Sequence, residues 1–337
     1  MTGLMSRSVT TARHTTQYLE SGPSDGPLMI FLHGWPSIGL MWRAQMDAFA
    51  TEGWHCIAPD LRGFGGSSAP EDKAAYAIEE VVRDMVELHD HLGGQPAIWV
   101  SHDWGVVVAT ELAAHEPDRC RGVVLTSLAY QPEGHALNTI VPLVDRAIYP
   151  ADRYPDGQWD YYRYYTTHFD RAVADLDADK AASLATIFRQ GDPASVGKVA
   201  PHAEVTRNGG RYGAAHRAPP TEPDPAIWPT EDFDALVQAF RAQGFRSSCA
   251  WYLNDDANIE YARRAPDMGR LLPPVLFVNG DFDQICSING NRQGDPMKAG
   301  CTDLALASLP SGHWLPLERK AELIETIRSW LCSKGFQ

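Results

Sequence analysis

Asp103 lies at the centre of the pentapeptide 101–105 (SHDWG), which follows the apolar run 97–100 and precedes a helix-forming segment. A tight turn from a strand into a helix needs small residues two positions before and after its apex. Ser101 and Gly105 meet that need. The spacing therefore predicts that Asp103 projects above the C-terminal edge of a sheet, where the following helix N-terminus keeps its carboxylate ionised. The alternative is that Asp103 only caps that helix.

A carboxylate at this apex indicates a particular class of reaction. It can displace an oxygen or a halide at a saturated carbon and form an ester that water later cleaves. A serine would give a stable ether at such a carbon. The segment 65–69 (GGSSA) loosely matches a serine elbow, but it follows a loop and precedes Pro70. We interpret it as a loop, and the strict GxSxG motif of serine hydrolases is absent.

His313 is the candidate general base. It lies in the segment 311–314 (SGHW), directly after a predicted strand, where a loop could hold it over the nucleophile. The acidic partner normally precedes the histidine in this arrangement. Asp283, at the end of the strand-like run 278–283, is the favoured orienting acid, with Asp281 as the alternative.

A second turn could supply hydrogen-bond donors to an oxyanion. The segment 33–36 (HGWP) ends the first strongly apolar run. The backbone N–H groups of Trp35 and Trp104 could together form an oxyanion hole. The alternative is an ordinary turn that closes a strand. A cis bond before Pro36 is expected at such a tight functional turn.

Short apolar runs that alternate with helix-period segments predict the framework around these residues. Six candidate strands lie at 28–33, 55–60, 97–101, 122–127, 275–280 and 304–309. Continuous apolar runs are typical of strands that are buried on both faces of a parallel sheet. Apolar residues recur at helical spacing over 78–92 and 323–331. The pattern predicts an α/β fold with a mostly parallel, doubly wound sheet.

The alternation breaks in the middle of the chain. Between about 130 and 265 the sequence has clustered aromatic residues, a Gly/Pro-rich stretch at 208–229 and helical patterns without core strands. We therefore predict a core formed by residues 1–130 and 266–337. A mainly helical cap, residues 131–265, is inserted into it.

Composition and charge argue against several classes of function. With 29 Lys and Arg against 43 Asp and Glu, the formal net charge is −14, which disfavours nucleic acid and anionic membranes as partners. No apolar stretch reaches the ~18 residues of a membrane span, and residues 1–22 lack the apolar segment of a secretory signal. The six cysteines are scattered, which indicates free thiols and a cytoplasmic location. No metal is expected, and 63–65 (GFG) does not complete a dinucleotide fingerprint.

Together these motifs resemble those of soluble epoxide hydrolases with the α/β-hydrolase fold. The family's HGxP motif, glycine-rich loop, GHDWG elbow and histidine loop have counterparts at 33–36, 62–70, 101–105 and 312–314. The core resemblance spans about 28–128 and 274–331. It implies the α/β-hydrolase fold and a triad of Asp103, Asp283 and His313. Two departures are Ser101, where the family has glycine, and Val106, where it usually has a small residue; both put the helix packing beside the nucleophile in question.

The family also carries two cap tyrosines that hydrogen-bond the epoxide oxygen. The segment 251–254 (WYLN) resembles the one that bears the second, which implies Tyr252. The segment 159–162 (WDYY) resembles the one that bears the first, which implies Tyr161, although further tyrosines crowd the same stretch. Packing in the cap is the alternative for both. The resemblance also implies substrate contacts by His33, Pro36, Trp159, Trp251 and Trp314.

The resemblance implies that a small apolar epoxide and water react to a vicinal diol through an ester on Asp103, without a cofactor. A haloalkane or haloacid dehalogenase with the same triad is an alternative, because the indole of Trp104 could bind halide. A departing halide needs no proton, so the presence of two proton donors, Tyr161 and Tyr252, favours an epoxide as substrate. A non-catalytic ligand-binding member is a further alternative, but its triad would be damaged. The sequence is compatible with a homodimer and does not determine the oligomeric state.

Overall fold

The structure is a computed structural model that describes residues 3–336, and its framework is one eight-stranded sheet. The strands are β1 (Met5–Thr10), β2 (Thr15–Ser21), β3 (Leu28–Leu32), β4 (His55–Pro59), β5 (Ala97–His102), β6 (Cys120–Thr126), β7 (Val275–Gly280) and β8 (Leu304–Leu309). Their order across the sheet is β1-β2-β4-β3-β5-β6-β7-β8. All neighbours from β4 to β8 pair in parallel, whereas β1 with β2 and β2 with β4 pair antiparallel.

The six predicted strands correspond to β3–β8, with ends that differ by at most two residues. The hairpin of β1 and β2 was not predicted. Strand β1 is exposed along almost its whole length, so it carries no apolar periodicity that would mark it as a strand. The expectation that the predicted strands are buried on both faces is confirmed for β3–β7. It is wrong for β8, which lies at the sheet edge and is only partly buried.

Thirteen α-helices accompany the sheet within residues 3–336. They are α1 (Arg43–Thr51), α2 (Ile78–His91), α3 (Trp104–His115), α4 (Leu137–Ile140), α5 (Asp160–Thr167), α6 (Phe169–Asp177), α7 (Lys180–Ile187), α8 (Thr230–Gln243), α9 (Arg246–Cys249), α10 (Asp255–Arg263), α11 (Asp295–Gly300), α12 (Leu315–Glu318) and α13 (Lys320–Ser333). Helix α2 packs on α3, which lies against β5 and β6, while α1 packs on α13. Two groups of helices thus cover the sheet, as the alternating pattern predicted.

The chain leaves the sheet after β6 and returns to it at β7. Helices α4–α10 lie in between, and residues 127–274 contribute no strand, only a single bridge at Leu271. Buried side chains of this insertion and of the sheet belong to one hydrophobic cluster. Cap residues can therefore face the ends of the core strands, although the domain boundaries at 130/131 and 265/266 stay predictions.

Two further expectations concern the chain as a whole. No helix within residues 3–336 is long and apolar enough to cross a membrane. Four cysteines are buried free thiols, namely Cys56, Cys120, Cys249 and Cys286. These four thiols are buried and form no disulfide. The cytoplasmic location stays a prediction.

Candidate active site

Asp103 occupies the turn between β5 and α3 with φ 51° and ψ −124°. A positive φ is unfavourable for an aspartate, so the surrounding packing must hold this conformation. A Cβ added to Gly105 would lie 2.4 Å from the carbonyl oxygen of Leu32, which explains why a glycine follows the apex. The turn is therefore the sharp elbow that the spacing predicts.

The two departures from the family elbow are accommodated locally. Ser101 is fully buried, and its Oγ donates a 2.8 Å hydrogen bond to the carbonyl oxygen of Val124 on β6. The extra hydroxyl therefore has a partner. Val106 is buried in the first turn of α3. Neither side chain displaces Asp103 from the apex.

The carboxylate of Asp103 faces two backbone donors. The N–H of Trp35 donates to Asp103 Oδ1 at 2.7 Å, and the N–H of Trp104 is a second partner of the carboxylate. A Cβ on Gly34 would lie 2.4 Å from both Cβ and Oδ1 of Asp103, so this close approach requires glycine. The Trp35–Pro36 bond is cis, as expected. The predicted oxyanion-hole groups thus both face the carboxylate of Asp103.

His313 lies between two carboxylates. Its Nδ1 is 2.8 Å from Asp283 Oδ2, and its Nε2 is 3.7 Å from Asp103 Oδ2. Asp283 Oδ1 accepts hydrogen bonds from the N–H groups of Ile285 and Cys286 at 2.9 and 3.0 Å. These backbone bonds orient the acid, which in turn orients the imidazole, and this is the geometry that the predicted triad requires.

The competing acid, Asp281, has a different set of partners. Its Oδ1 accepts hydrogen bonds from Asn279 at 3.3 Å and Asn289 at 2.9 Å, and also from Ser308. It makes no hydrogen bond to His313. The structure therefore assigns Asp281 to the support of the loop and places Asp283 beside the imidazole.

Burial and the neighbouring charges and donors shift the pKa values of His313, Asp283 and Asp103 in opposite directions. Burial lowers the pKa of His313, but Asp283 and then Asp103 outweigh it and raise this pKa to about 9. Burial tends to raise the pKa of Asp283, but His313 and the backbone donors hold it below its ordinary value. Burial raises the pKa of Asp103, and the opposing effects of His313, Trp104 and Trp35 do not cancel the rise. Because His313 holds its proton well into the alkaline range, an Asp103 carboxylate is neutralised by an imidazolium near neutral pH.

A cavity of about 120 Å³, here called the inner cavity, lies over the triad. It is lined by Trp35, Asp103, Tyr161, Thr186, Ile187, His202, Arg211, Tyr252, Ile285, His313 and Trp314. Both predicted cap tyrosines thus face the same space as Asp103. The ring of Trp104 packs edge-on against that of Tyr252, with the two centroids 5.2 Å apart and the planes nearly perpendicular.

The structure distinguishes Tyr161 from the other tyrosines of α5. Tyr162 donates its hydroxyl hydrogen to Asp255, and Tyr164 donates to the carbonyl oxygen of Gly209 at 3.0 Å. Tyr165 accepts a 3.2 Å hydrogen bond from Arg211. The hydroxyl of Tyr161 has no hydrogen-bond partner within residues 3–336. It is therefore the α5 hydroxyl that is available to a ligand in the inner cavity.

Of the five predicted substrate contacts, Trp314 lines the inner cavity and the other four do not. His33 is fully buried and its Nε2 accepts a 2.9 Å hydrogen bond from the N–H of Leu61, so it supports the loop after β4. Trp251 donates to the carbonyl oxygen of Arg62 at 3.0 Å. Trp159 is buried in the cap, and Pro36 contributes the cis turn.

Sequence reasoning missed Arg211, His202, Thr186, Ile187 and Ile285. None of them belongs to a recognisable motif. Arg211 follows a pair of glycines in the Gly/Pro-rich stretch, which was interpreted only as a cap loop. No local signal distinguishes it from the other arginines of the cap.

One group of side chains has ligand atoms close enough together to hold a metal ion, and two of its three members belong to the predicted triad. Asp283, Cys286 and His313 bring ligand atoms within 4.8 Å of one another. Asp283 and His313 are hydrogen-bonded to each other, which explains their proximity without an ion. The expectation that no metal or cofactor is needed stays a prediction.

Comparison with known proteins agrees with this geometry. Residues 27–320 match the alpha/beta hydrolase fold family. Epoxide hydrolase A of Mycobacterium tuberculosis is 31% identical over 322 residues, which cover 93% of this chain and 92% of that protein. Bifunctional epoxide hydrolase 2 of Sus scrofa is 26% identical, and the match covers 93% of this chain but only 52% of that longer protein. The crystal structure of epoxide hydrolase A from Mycobacterium thermoresistibile has a TM-score of 0.79 and 27% identity over 98% of both chains.

The chain belongs to the α/β hydrolase fold family. Its relatives in that family are epoxide hydrolases, so the family resemblance read from the motifs and the expected enzyme class are confirmed. The match runs through the predicted cap as well as the core, because it covers 93% of the chain.

Proposed function

We propose that this protein hydrolyses an epoxide to a vicinal diol through a covalent ester on Asp103. One observation carries the proposal: Asp103, Tyr161 and Tyr252 line one cavity. A carboxylate can open an epoxide ring at carbon, and a phenol can donate its proton to the oxygen that is released. Burial raises the pKa of both tyrosines well above its ordinary value, so both hydroxyls stay protonated.

In the first step, Asp103 Oδ2 attacks one epoxide carbon. The carbon–oxygen bond of the ring breaks, its electron pair passes to the epoxide oxygen, and Tyr161 or Tyr252 supplies the proton. Oδ2 is the nucleophilic oxygen because Oδ1 already accepts the N–H of Trp35. Oδ1 thereby becomes the carbonyl oxygen of the ester and stays in the oxyanion hole.

In the second step, His313 takes a proton from a water molecule, which attacks Cγ of Asp103. Formation of the ester removes the negative charge 3.7 Å from Nε2 and so lowers the pKa of His313. The imidazolium proton then returns to the tyrosinate left by the first step, which leaves His313 as a neutral base. The N–H groups of Trp35 and Trp104 stabilise the tetrahedral oxyanion. Its collapse breaks the bond to the alkyl oxygen, which takes the proton from His313 and leaves as the diol.

The position of Trp104 supports an epoxide over a halide substrate. A dehalogenase would need the indole N–H as a halide ligand. Here Trp104 does not line the inner cavity, and its ring packs edge-on against that of Tyr252 instead. The tyrosine is thereby oriented in the cavity, where an epoxide oxygen would need a proton donor.

A single turnover in ¹⁸O water with styrene oxide and excess enzyme tests the mechanism. The ester route places the label in the peptide that carries Asp103 and leaves the first diol unlabelled, because the diol takes Oδ2 from the enzyme. Asp103→Asn is the matched control and should form no diol at the outset. Labelled diol with an unlabelled peptide would mean direct attack by water and would overturn the role of Asp103. If no diol forms, halide release from haloalkanes would favour the dehalogenase.

A further inference from the structure

Arg211 is a cation in the inner cavity without an anionic partner. Its Nε donates a 3.2 Å hydrogen bond to the hydroxyl of Tyr165, and its guanidinium lies 5.8 Å from the ring centroid of Trp35. Nη1 and Nη2 make no hydrogen bond within residues 3–336, and no carboxylate of that part of the chain forms an ion pair with Arg211. These contacts hold the side chain in place while two donor groups stay available.

Arg211 also lines a second space that continues from the inner cavity. This outer groove, of about 820 Å³, is lined by Thr186, Pro201, His202, Asn208, Arg211, Tyr212, Gly213, Ala214, Ala215, Arg217 and Pro219. Thr186, His202 and Arg211 belong to both spaces, so Arg211 lies where they meet. A ligand that enters the inner cavity through the groove passes this guanidinium.

The charge of this region is opposite to that of the whole protein. The chain carries 43 acidic against 29 basic residues, yet the lining of the outer groove has two arginines and no Asp or Glu. Arg217 is paired with Asp179 at 2.8 Å, which leaves Arg211 as the uncompensated cation of the lining. A local positive site in an acidic protein is suited to an anionic ligand.

We propose that Arg211 binds a carboxylate of the substrate, so that the enzyme prefers epoxides that bear a carboxylate close to the ring. This inference rests on the proposed function. A planar guanidinium with two free amino groups matches a carboxylate by two parallel hydrogen bonds. Because Asp103 and Arg211 line the same cavity, we place the carboxylate close to the epoxide carbon that Asp103 attacks.

Arg211 also offsets an electrostatic conflict that such a substrate creates. A substrate carboxylate adds a negative charge to a site where one imidazolium, His313, already faces the two carboxylates of Asp103 and Asp283. The guanidinium supplies the compensating charge and positions the ring. Loss of Arg211 should therefore reduce the carboxylate preference more strongly than loss of a single neutral hydrogen bond would.

Three related epoxides test this inference: phenylglycidate, its neutral primary amide phenylglycidamide, and styrene oxide, which lacks the substituent. The expected kcat/KM of the wild-type enzyme is at least about tenfold higher for phenylglycidate than for the amide, as for a hydrogen bond between charged groups. Arg211→Gln should lower this ratio by about 10- to 100-fold. Arg211→Lys keeps the charge but loses the planar guanidinium, so its ratio should lie between those of the wild-type enzyme and Arg211→Gln. Arg246→Gln is the matched control, because this exposed cap arginine pairs with Asp170 and lines neither space.

Two outcomes would overturn the inference. One is equal kcat/KM for phenylglycidate and its amide in the wild-type enzyme. The other is an equal decrease for all three epoxides in a folded Arg211→Gln variant, which would assign Arg211 to the support of Tyr165. Thermal melting followed by circular dichroism establishes that each variant is folded.

A binding measurement separates this inference from the proposed function. Cinnamate has the skeleton and carboxylate of phenylglycidate but no epoxide, so its affinity does not depend on turnover. Calorimetry should show that the wild-type protein binds cinnamate. The wild-type protein should bind cinnamamide, and Arg211→Gln should bind cinnamate, at least about tenfold more weakly. If no epoxide is hydrolysed but cinnamate binds in this way, the proposed function fails while the assignment of Arg211 stands. Equal affinity for cinnamate and cinnamamide refutes the assignment of Arg211.

Discussion

The two carboxylates beside His313 make its pKa a direct probe of the site. Asp283 Oδ2 lies 2.8 Å from Nδ1, and Asp103 Oδ2 lies 3.7 Å from Nε2. Burial lowers the pKa of His313, but the two acids raise it to about 9. Asp103→Asn removes one charge with little change of shape, and it imitates the neutral side chain of the proposed ester. We expect this variant to lower the pKa of His313.

The size of the decrease follows from the distance. At 3.7 Å and an effective dielectric constant of about 20, Coulomb's law gives about 4–5 kcal/mol for the pair. This is an upper bound, because the His313 side chain is 22% exposed and solvent screens the interaction. Since one pKa unit corresponds to about 1.4 kcal/mol, we expect a decrease of about one to two units. Asp283 should keep the pKa above the ordinary histidine value.

Nuclear magnetic resonance of protein labelled with ¹⁵N-histidine measures this pKa from the ring nitrogen shifts. Asp281→Asn is the control, because it removes an equal charge that does not contact His313 and should shift the pKa by less than about half a unit. An unchanged pKa of His313 in Asp103→Asn would refute the electrostatic coupling between the two residues. It would also refute the argument that formation of the ester makes His313 a neutral base. If the coupling holds, the ester-hydrolysis rate should rise with pH through a pKa about one to two units below that of the free enzyme.

Four further substitutions test other parts of the site. Tyr161→Phe and Tyr252→Phe should each slow ester formation by about 100-fold in stopped-flow fluorescence, and the double variant should abolish it; turnover by the double variant would contradict the acid role. Gly34→Ala places a Cβ 2.4 Å from Asp103 Oδ1 and should lower kcat by about 100-fold or more; a folded variant with wild-type kcat would exclude that clash. Ser101→Gly removes a buried hydrogen bond and should lower the free energy of unfolding by about 1 kcal/mol, measured with urea; unchanged stability would show that this bond contributes little.

Local spacing determined the parts of the fold that surround the nucleophile. Continuous apolar runs predicted β3–β8 because strands buried in a parallel sheet need apolar side chains on both faces. The hairpin of β1 and β2 left no such pattern, since β1 is exposed at the edge of the sheet. The backbone pairing that makes it a strand comes from β2, and sequence periodicity does not report it.

The sequence by itself determined Asp103 as the elbow residue and the order of its partners, because a strand–turn–helix with small flanking residues is a local structure. Only the tertiary structure decided between Asp281 and Asp283, and between Tyr161 and its neighbours, because hydrogen bonds from distant segments occupy the competing side chains. Arg211 likewise has no local signal. It reaches the nucleophile's cavity through the packing of the cap on the core, and such long-range contacts leave no periodic pattern in the sequence.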